Sequence, residues 1–330
     1  MMDKKILPIT LLIFSVFFLI NTSIADEKVT WKFAGIHAVT TPETKGENYF
    51  AKLVKGKSQG NFIVNVYPAQ QLGTSVDILE NLMMGSVDMY GNSMGQSQFF
   101  VKDFGIFSMP FLFKDLDAIK KFQKSTLYQQ LLERLVTEKG VRAISANWYR
   151  LPRVLVAKRP IMTLDDLQGL KMRMASVKTF FETWRDLGAN VTSLPWGEVY
   201  LALKKGIVDA CDSPLGSVYG QKFYRAAPYI MLTYHDIAPF NVLVNEKKYQ
   251  KLPEQYKKIL YEAGKEAGDY YTKILVDSFN VEKAKMEKEG AKFLAVDTAP
   301  FAQKAATIAE RYESEGMWKK GLFEEILKSQ

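Results

Sequence analysis

Cysteine and histidine are scarce in this chain of 330 residues. Cys211 is the single cysteine, so the protein forms no internal disulfide and depends on a hydrophobic core for its stability. The two histidines, His37 and His235, lie far apart, and neither has a second histidine or a cysteine at ligand spacing. This scarcity argues against a transition-metal site. We expect no metal ligands of this kind and no cofactor, and an alkali or alkaline-earth ion bound through oxygen atoms alone stays an open alternative.

Signs of catalysis are equally few. The sequence has no G-x-x-x-x-G-K-S/T phosphate loop. Asp209 and Asp212 are close enough for paired acid–base chemistry, but no other catalytic side chain is near them in the sequence. Because no nucleophile, base and orienting group form a recognisable triad, we expect no serine or cysteine hydrolase site. The sequence predicts a protein that is not an enzyme, and an enzyme remains the rival class.

Long apolar runs are missing except at the N-terminus. Lys4 and Lys5 precede an uncharged apolar run at 6–20, and small residues follow at 23–25. This layout is typical of a secretory signal peptide spanning 1–25, with a mature start near Asp26. The alternative is a membrane anchor, for which the run is shorter than the ~20 residues that a spanning helix needs. We expect export to the periplasm.

The formal net charge of +8 favours an anionic partner. Nucleic acid would be one such partner. However, the lysines are scattered among glutamates and aspartates and form no basic stripe. We therefore expect no nucleic-acid binding, and a small anion remains compatible with the charge.

Strand and helix patterns alternate through the chain. A strand at 29–33, a helix at 42–57, a strand at 62–67 and a helix at 75–84 open the series, and a helix is predicted at 116–137. The alternation continues in the second half. It is typical of open α/β sheets covered by helices, and the length of the chain favours two domains.

One helical segment is unusually long. Pro253 stands where helices start well, and apolar residues recur without an intervening proline to about residue 288. Two interpretations remain open. Either one helix crosses both domains, or the helix breaks near Gly264 or Gly268. We favour the continuous helix because a glycine costs only about 1 kcal/mol there.

Six segments, in order and at matching spacing, resemble the DctP-type family, the extracytoplasmic substrate-binding proteins of TRAP transporters. They are VYPAQQLG at 66–73, GSVDM at 85–89, MPFLF at 109–113, LDDLQGLKMR at 164–173, PWGEVYLAL at 195–203 and GIVDA at 206–210. The resemblance covers essentially the whole chain after residue 25.

The resemblance implies a periplasmic-binding-protein-like α/β fold. Two α/β domains would enclose a ligand cleft and be joined by hinge segments and a long domain-spanning helix. Domain I would hold 26–150 plus about 239–278, and domain II would hold 151–238 plus about 279–330. It also implies a monomer that captures a small organic acid and delivers it to TRAP membrane permease subunits.

Arginines are the first candidates for the ligand site. Arg173 closes the GLKMR strand, where family members use an arginine to hold the ligand carboxylate with two parallel hydrogen bonds. Arg153 stands where the family often carries a second ligand-facing arginine, although the neighbouring Arg150 makes that assignment ambiguous. The alternative for either residue is a surface charge.

Polar and aromatic residues complete the candidate site. Ser213 replaces the asparagine of better-known members, which puts direct transfer of their substrates in doubt. Trp196 stands where relatives have phenylalanine and would either stack on the ligand or pack within the domain. Asn92 and Ser93 are expected at the cleft edge, whereas Asn241 is placed near a hinge. We expect Cys211 to be a small, unreactive side chain.

Several alternatives remain open from the sequence. The binding protein could serve a sensor or another receptor in place of a permease, and ATP-driven uptake is disfavoured because the six segments are of the TRAP type. Monocarboxylates, dicarboxylates, keto acids, sugar acids and aromatic acids all remain candidates for the ligand.

Overall fold

The structure is a computed structural model and describes residues 28–237 and 239–330. The predicted signal peptide at 1–25 lies outside the described residues. Across the described ranges, no helix has both the length and the apolar character needed to cross a membrane.

Residues 28–148 form four strands and four α-helices. In order, these are β1 (Val29–Ala34), α1 (Pro42–Lys57), β2 (Phe62–Tyr67), α2 (Ser75–Met84), β3 (Met89–Ser93), α3 (Leu116–Phe122), α4 (Thr126–Lys139) and β4 (Val141–Trp148). Two 3₁₀ helices, Met94–Phe99 and Lys102–Ser108, follow β3.

The remainder contains seven strands and eight α-helices. They are β5 (Arg153–Ala157), β6 (Lys171–Met174), α5 (Lys178–Asp186), β7 (Asn190–Ser193), α6 (Val199–Lys205), β8 (Ala210–Pro214), α7 (Leu215–Gly220), α8 (Phe223–Ala226), β9 (Tyr229–Leu232), β10 (Phe240–Asn245), α9 (Glu246–Gln250), α10 (Glu254–Lys288), β11 (Lys292–Ala295), α11 (Ala299–Ser314) and α12 (Leu322–Lys328). Short 3₁₀ turns precede β6 and α6.

The strands form two mixed sheets. One sheet has the order β2-β1-β3-β10-β4 and the other the order β11-β9-β5-β8-β6-β7. We call the first sheet with its helices the first lobe and the second sheet with its helices the second lobe. The chain passes between the lobes through 149–152, through the segment that follows β9 and along α10. The predicted α/β class with two lobes is confirmed, whereas the domain boundaries stay a prediction.

Helix starts follow local capping signals. Thr41 caps α1 next to Pro42, and Thr74 and Asp77 form a reciprocal capping box at the start of α2.

The single helix predicted for 116–137 is wrong, because the chain breaks between α3 and α4. There the Ser125 side chain accepts a hydrogen bond from the backbone N–H of Tyr128 and starts a new helix.

The long helix is continuous, as predicted, and runs for 35 residues. Its glycines permit close packing rather than a break. A Cβ atom on Gly268 would lie 2.6 Å from Cδ1 of Trp148, and the Trp148 indole N–H donates to the Gly264 carbonyl at 3.0 Å. Further along, Leu275 packs so closely on α7 that a Cβ atom on Gly216 would lie 2.2 Å from its Cδ1 atom. The helix thus contacts both lobes.

Candidate functional site

A cavity lies between the two lobes where their strands end. Together with its mouth and the open solvent there, the space at this position measures about 700 Å³. The first lobe contributes the residues after β1, the start of α2 and the end of β3. The second lobe contributes the ends of β6 and β8 and the segment 194–196.

The charged groups of this lining are all cationic. Three arginines line the cavity, and His37 is the remaining titratable residue of its lining. No carboxylate side chain from the described residues lines it. The arginines are Arg150, Arg153 and Arg173.

Arg173 is buried, with 3% of its surface exposed. Its Nε and Nη2 atoms donate to the carbonyl oxygen of Leu194 at 2.9 and 2.6 Å. Its guanidinium lies 5.4 Å from the ring centroid of Trp196. Burial lowers the pKa of Arg173 to about 10, so the group remains charged at neutral pH. Within 28–237 and 239–330, no ion pair joins it to a carboxylate.

Arg153 already has a counter-ion. Its Nε atom donates to Oδ2 of Asp212, and its Nη2 atom donates to the Asp212 carbonyl at 3.4 Å. Burial disfavours the charged form of Asp212, but Arg153 and His235 outweigh burial and hold the pKa of Asp212 well below its usual range. The predicted second arginine therefore lines the cavity as half of an internal ion pair.

Arg150, which the sequence left as an ambiguity, also lines the cavity. Its guanidinium lies 4.8 Å from the ring centroid of Phe240, and its Nε atom lies 4.0 Å from Oε1 of Glu43. The Ser217 hydroxyl donates to the same Glu43 oxygen at 2.8 Å.

His37 is a lining residue that the sequence reasoning missed. Burial lowers the pKa of His37 to about 4, only partly opposed by Glu43, so its imidazole is neutral at neutral pH. The Nδ1 atom is buried without a hydrogen-bond partner among the described residues, and Nε2 lies 4.0 Å from Glu43. An isolated histidine after β1 carried no signal of this position.

Asn92 and Ser93 line the cavity, as expected for the cleft edge. Asn92 is directly opposite Asn241 in the antiparallel pairing of β3 with β10. The amide groups of both asparagines are buried, and neither has a hydrogen-bond partner within the part of the chain that the structure describes. Asn241 does not line the cavity, so its role stays a prediction.

Of the two remaining candidates, Trp196 faces the cavity, whereas Ser213 lies outside its lining. Trp196 lines the cavity and meets the rings of His37 and Phe223 edge-on at 5.9 and 5.1 Å between centroids. It therefore forms part of the wall and also packs within the lobe. The Ser213 hydroxyl is fully buried, donates to the Pro214 carbonyl at 3.0 Å and does not line the cavity. Its contact with ligand stays a prediction.

Cys211 lies behind the cavity wall. It is fully buried, and burial raises the pKa of its thiol to about 12. Such a thiol is protonated at neutral pH and is a poor nucleophile. This agrees with the expectation of a small, unreactive side chain.

Residues 91–95 read G-N-S-M-G and match the G-x-S-x-G letters of serine hydrolases. Ser93 ends β3 and a 3₁₀ helix follows. A hydrolase serine needs a histidine within hydrogen-bond reach, but no such bond involves Ser93 anywhere in the described chain. The letters of the motif are thus present without its base. Nor do the described residues contain a cluster of three or more metal-ligating side chains.

Hydrogen bonds join the two lobes around the cavity. The Gln98 amide donates to the Thr179 hydroxyl at 2.9 Å and accepts from the Thr179 backbone N–H at 3.2 Å. Gln70 accepts from the backbone N–H of Gly197 at 2.9 Å. These contacts describe a closed arrangement of the lobes.

Curated relatives align with most of the chain at moderate sequence identity. The C4-dicarboxylate-binding periplasmic protein DctP of Rhodobacter capsulatus is 31% identical over 245 residues, which is 74% of this chain and 73% of that protein. A solute-binding protein of Chromohalobacter salexigens is 26% identical over 297 residues, covering 90% of this chain and 88% of that protein.

Solved structures share the fold. A TRAP periplasmic solute-binding protein from Ochrobacterium anthropi with bound L-fuconate has a TM-score of 0.85 and 27% identity, covering 92% of this chain and 99% of that one. One from Chromohalobacter salexigens with bound D-glucuronate also has a TM-score of 0.85 and 27% identity, covering 91% and 100%.

The profile of the bacterial extracellular solute-binding protein family 7, DctP, matches residues 33–315. This match spans the lobes and every lining residue of the cavity. The family that the six sequence segments predicted is confirmed. The chain belongs to family 7 of the bacterial extracellular solute-binding proteins.

Proposed function

We propose that this protein captures a small organic acid between its lobes, with Arg173 as the anchor of the ligand carboxylate. One observation carries the proposal. Of the three arginines lining the cavity, Arg173 is the one that has no carboxylate oxygen within 4.0 Å among the described residues, and Asp212, which is paired with Arg153, acts on it only from farther away. A buried cation without a counter-ion is costly, so an anionic ligand at this position would be strongly favoured.

The geometry of Arg173 suits this task. A guanidinium has five N–H donors in a plane, and Leu194 accepts from two nitrogens on one side of it. The Nη donors that remain can meet both oxygens of a carboxylate. The bonds to Leu194 and the contact with Trp196 fix the plane before the ligand arrives, which reduces the entropy lost on binding.

Closure of the lobes would convert this contact into capture. The cavity wall is complete only when both lobes meet, as they do through Gln98 and Thr179. A ligand that contacts both walls binds the closed form better than the open form and shifts the equilibrium by that difference. The segment 149–152 and the segment that follows β9 would act as the hinge, with the domain boundaries predicted from the sequence.

The relatives support an acidic ligand. The Rhodobacter capsulatus relative is named for C4-dicarboxylates, and the two solved structures contain L-fuconate and D-glucuronate. All of these compounds carry a carboxylate. We infer that delivery is to a TRAP permease, from a monomer in the periplasm, and that the protein catalyses no reaction. A receptor that serves a sensor is the alternative, and permease genes beside this gene would argue against it.

The experiment that tests the proposal uses refolded protein freed of carried-over ligand. Its melting temperature is measured against a panel of organic acids and their neutral analogues. A ligand at 100 times its Kd adds about 2.7 kcal/mol, which raises the melting temperature by several degrees. We expect shifts from acids and none from the neutral analogues. Shifts from neutral or cationic compounds alone would contradict a carboxylate anchor.

A further inference from the structure

We propose that the ligand is a monocarboxylate whose uncharged part carries hydroxyl groups, and that dicarboxylates are disfavoured. This inference rests on the proposed function, because it specifies which acid the same cavity takes. It follows from two features. One is the pairing of arginines with carboxylates behind the cavity wall, and the other is the set of buried neutral polar atoms that have no partner in the described chain.

One of the three arginines lacks a carboxylate partner at contact distance. Asp212 pairs with Arg153, and Asp236 also acts electrostatically on that arginine. Glu43 lies 4.0 Å from Arg150. Among the described residues, Arg173 alone of the three has no carboxylate oxygen within 4.0 Å, and Asp212 acts on it from farther away while paired with Arg153. One ligand carboxylate would compensate Arg173.

A second ligand carboxylate would have no cation of its own. Arg150 and Arg153 already face Glu43 and Asp212, so a dianion would place its second charge near these buried carboxylates. Like charges brought together in a desolvated site cost several kcal/mol. The same cavity can therefore take one negative charge far more easily than two.

The two buried glutamates of α1 have pKa values shifted in opposite directions. Glu43 and Glu47 are four residues apart and both are buried. The pKa of Glu43 is lowered, since His37 and Arg150 outweigh its burial. Burial, with the added repulsion of Glu43, raises the pKa of Glu47 well above its usual range. Burial thus favours the neutral form of Glu47, whereas Glu43 favours its charged form and is the carboxylate that lies 4.0 Å from Arg150.

The wall of the first lobe offers neutral hydrogen-bonding groups. Both amide atoms of Asn92 and the Nδ1 atom of His37 are buried without a protein partner among the described residues. An unpaired buried polar atom costs about 1–3 kcal/mol, so a ligand that pairs with these atoms gains affinity. A hydroxyl group both donates and accepts, and can therefore serve an amide and a neutral imidazole alike. A hydrocarbon chain would leave these groups unpaired.

Two matched series test the proposal by calorimetry on the full mature chain. The six-carbon series is hexanoate, L-galactonate and galactarate, and the four-carbon series is butyrate, threonate and tartrate. In each series the first acid lacks hydroxyls and the third adds a second carboxylate. We expect the middle acid of at least one series to bind about tenfold or more tightly than the other two. A dicarboxylate or an unhydroxylated acid that binds as tightly as its hydroxylated monocarboxylate would overturn the inference.

Isosteric variants supply the second test. Glu43→Gln keeps an acceptor for the Ser217 hydroxyl but removes the charge beside Arg150. The affinity for galactarate or tartrate, relative to that for galactonate or threonate, should therefore rise about tenfold. Glu47→Gln on the same helix is the matched control and should leave the preference unchanged. Asp212→Asn, which releases Arg153, should act like Glu43→Gln. Melting curves of each variant verify folding.

The outcomes separate this inference from the proposed function. Binding of succinate or malate but of no hydroxylated monocarboxylate would overturn the inference and leave the carboxylate anchor intact. An unchanged preference in both folded charge-removing variants would also overturn the inference. Absence of binding by every acid would overturn both proposals.

Discussion

The two walls of the cavity differ in kind. The second lobe contributes charge, with Arg173 held by Leu194 and placed beside Trp196, and with the Arg153–Asp212 pair alongside. The first lobe contributes mainly neutral groups, among them the Asn92 amide and the uncharged His37 ring, and Arg150 of the crossing segment 149–152 packs on its Phe240 ring 4.0 Å from Glu43. In the proposed binding mode, neither wall alone would recognise a hydroxylated acid. The acid group and the uncharged part of the ligand would contact different walls, which closure would bring together.

This division has a consequence for affinity and specificity. Changes on the charged wall should weaken every acid, because all acids share the carboxylate. Changes on the neutral wall should alter the choice among acids, because acids differ in their uncharged part. The predictions below test this division, starting with the largest expected effect.

Asp212 should be essential to the charged wall. Asp212→Ala leaves Arg153 buried without its main counter-ion, so the free energy of unfolding should fall by about 3–5 kcal/mol. Urea unfolding measures this directly. Asp209 is the matched control, since its ion pair with Lys158 at 3.6 Å is partly exposed and Asp209→Ala should cost less than about 1 kcal/mol. An equal loss in the free energy of unfolding in the two variants would show that the buried pair stabilises the fold no more than the partly exposed pair does.

The neutral wall should make the protein sensitive to acid. The folded-state pKa of His37, about 4, lies below its ordinary value of 6.5, so the unfolded chain takes up a proton first as the pH falls. Stability should therefore decline from about pH 6.5 toward pH 4, and this residue should account for about 2 kcal/mol between pH 7 and pH 5. Unfolding measured at both pH values in the wild type and in His37→Gln isolates the effect. An equal decline in the two proteins would contradict a neutral, buried His37.

Asn92 should control choice among ligands. Asn92→Ala removes from the cavity two buried amide atoms that have no hydrogen-bond partner among the described residues. The binding free energy of a hydroxylated acid should weaken by about 1 kcal/mol, whereas that of an acid without hydroxyls should change little. Calorimetry with galactonate and hexanoate compares the two. Asn241→Ala is the control, because Asn241 is its strand partner but does not line the cavity. If Asn92→Ala weakened both acids equally, the neutral wall would have no role in discrimination.

The periodicity after Pro253 predicted α10, and the family segments pointed to Arg173, which lines the cavity. The contact of Arg173 with a ligand stays a prediction. The break at Ser125 was missed because a capping hydrogen bond outweighed a continuous helical pattern. The states of Glu43 and Glu47 could not be predicted, since two glutamates on one helix look alike until their burial and neighbours are known. For the same reason Arg150 and His37 became recognisable as lining residues only in three dimensions.

The most direct test of the account is the affinity of Arg173→Ala for the acid that gives the largest melting shift with the wild type. Calorimetry should show a loss of about 2–5 kcal/mol in the folded variant, because the ligand carboxylate loses its buried partner. Arg173→Lys keeps the charge but not the planar guanidinium, so its affinity for the acid should lie between the affinities of Arg173→Ala and the wild type. Arg159→Ala removes a half-exposed arginine outside the cavity and should bind as the wild type does. Unchanged affinity in folded Arg173→Ala would contradict the central claim.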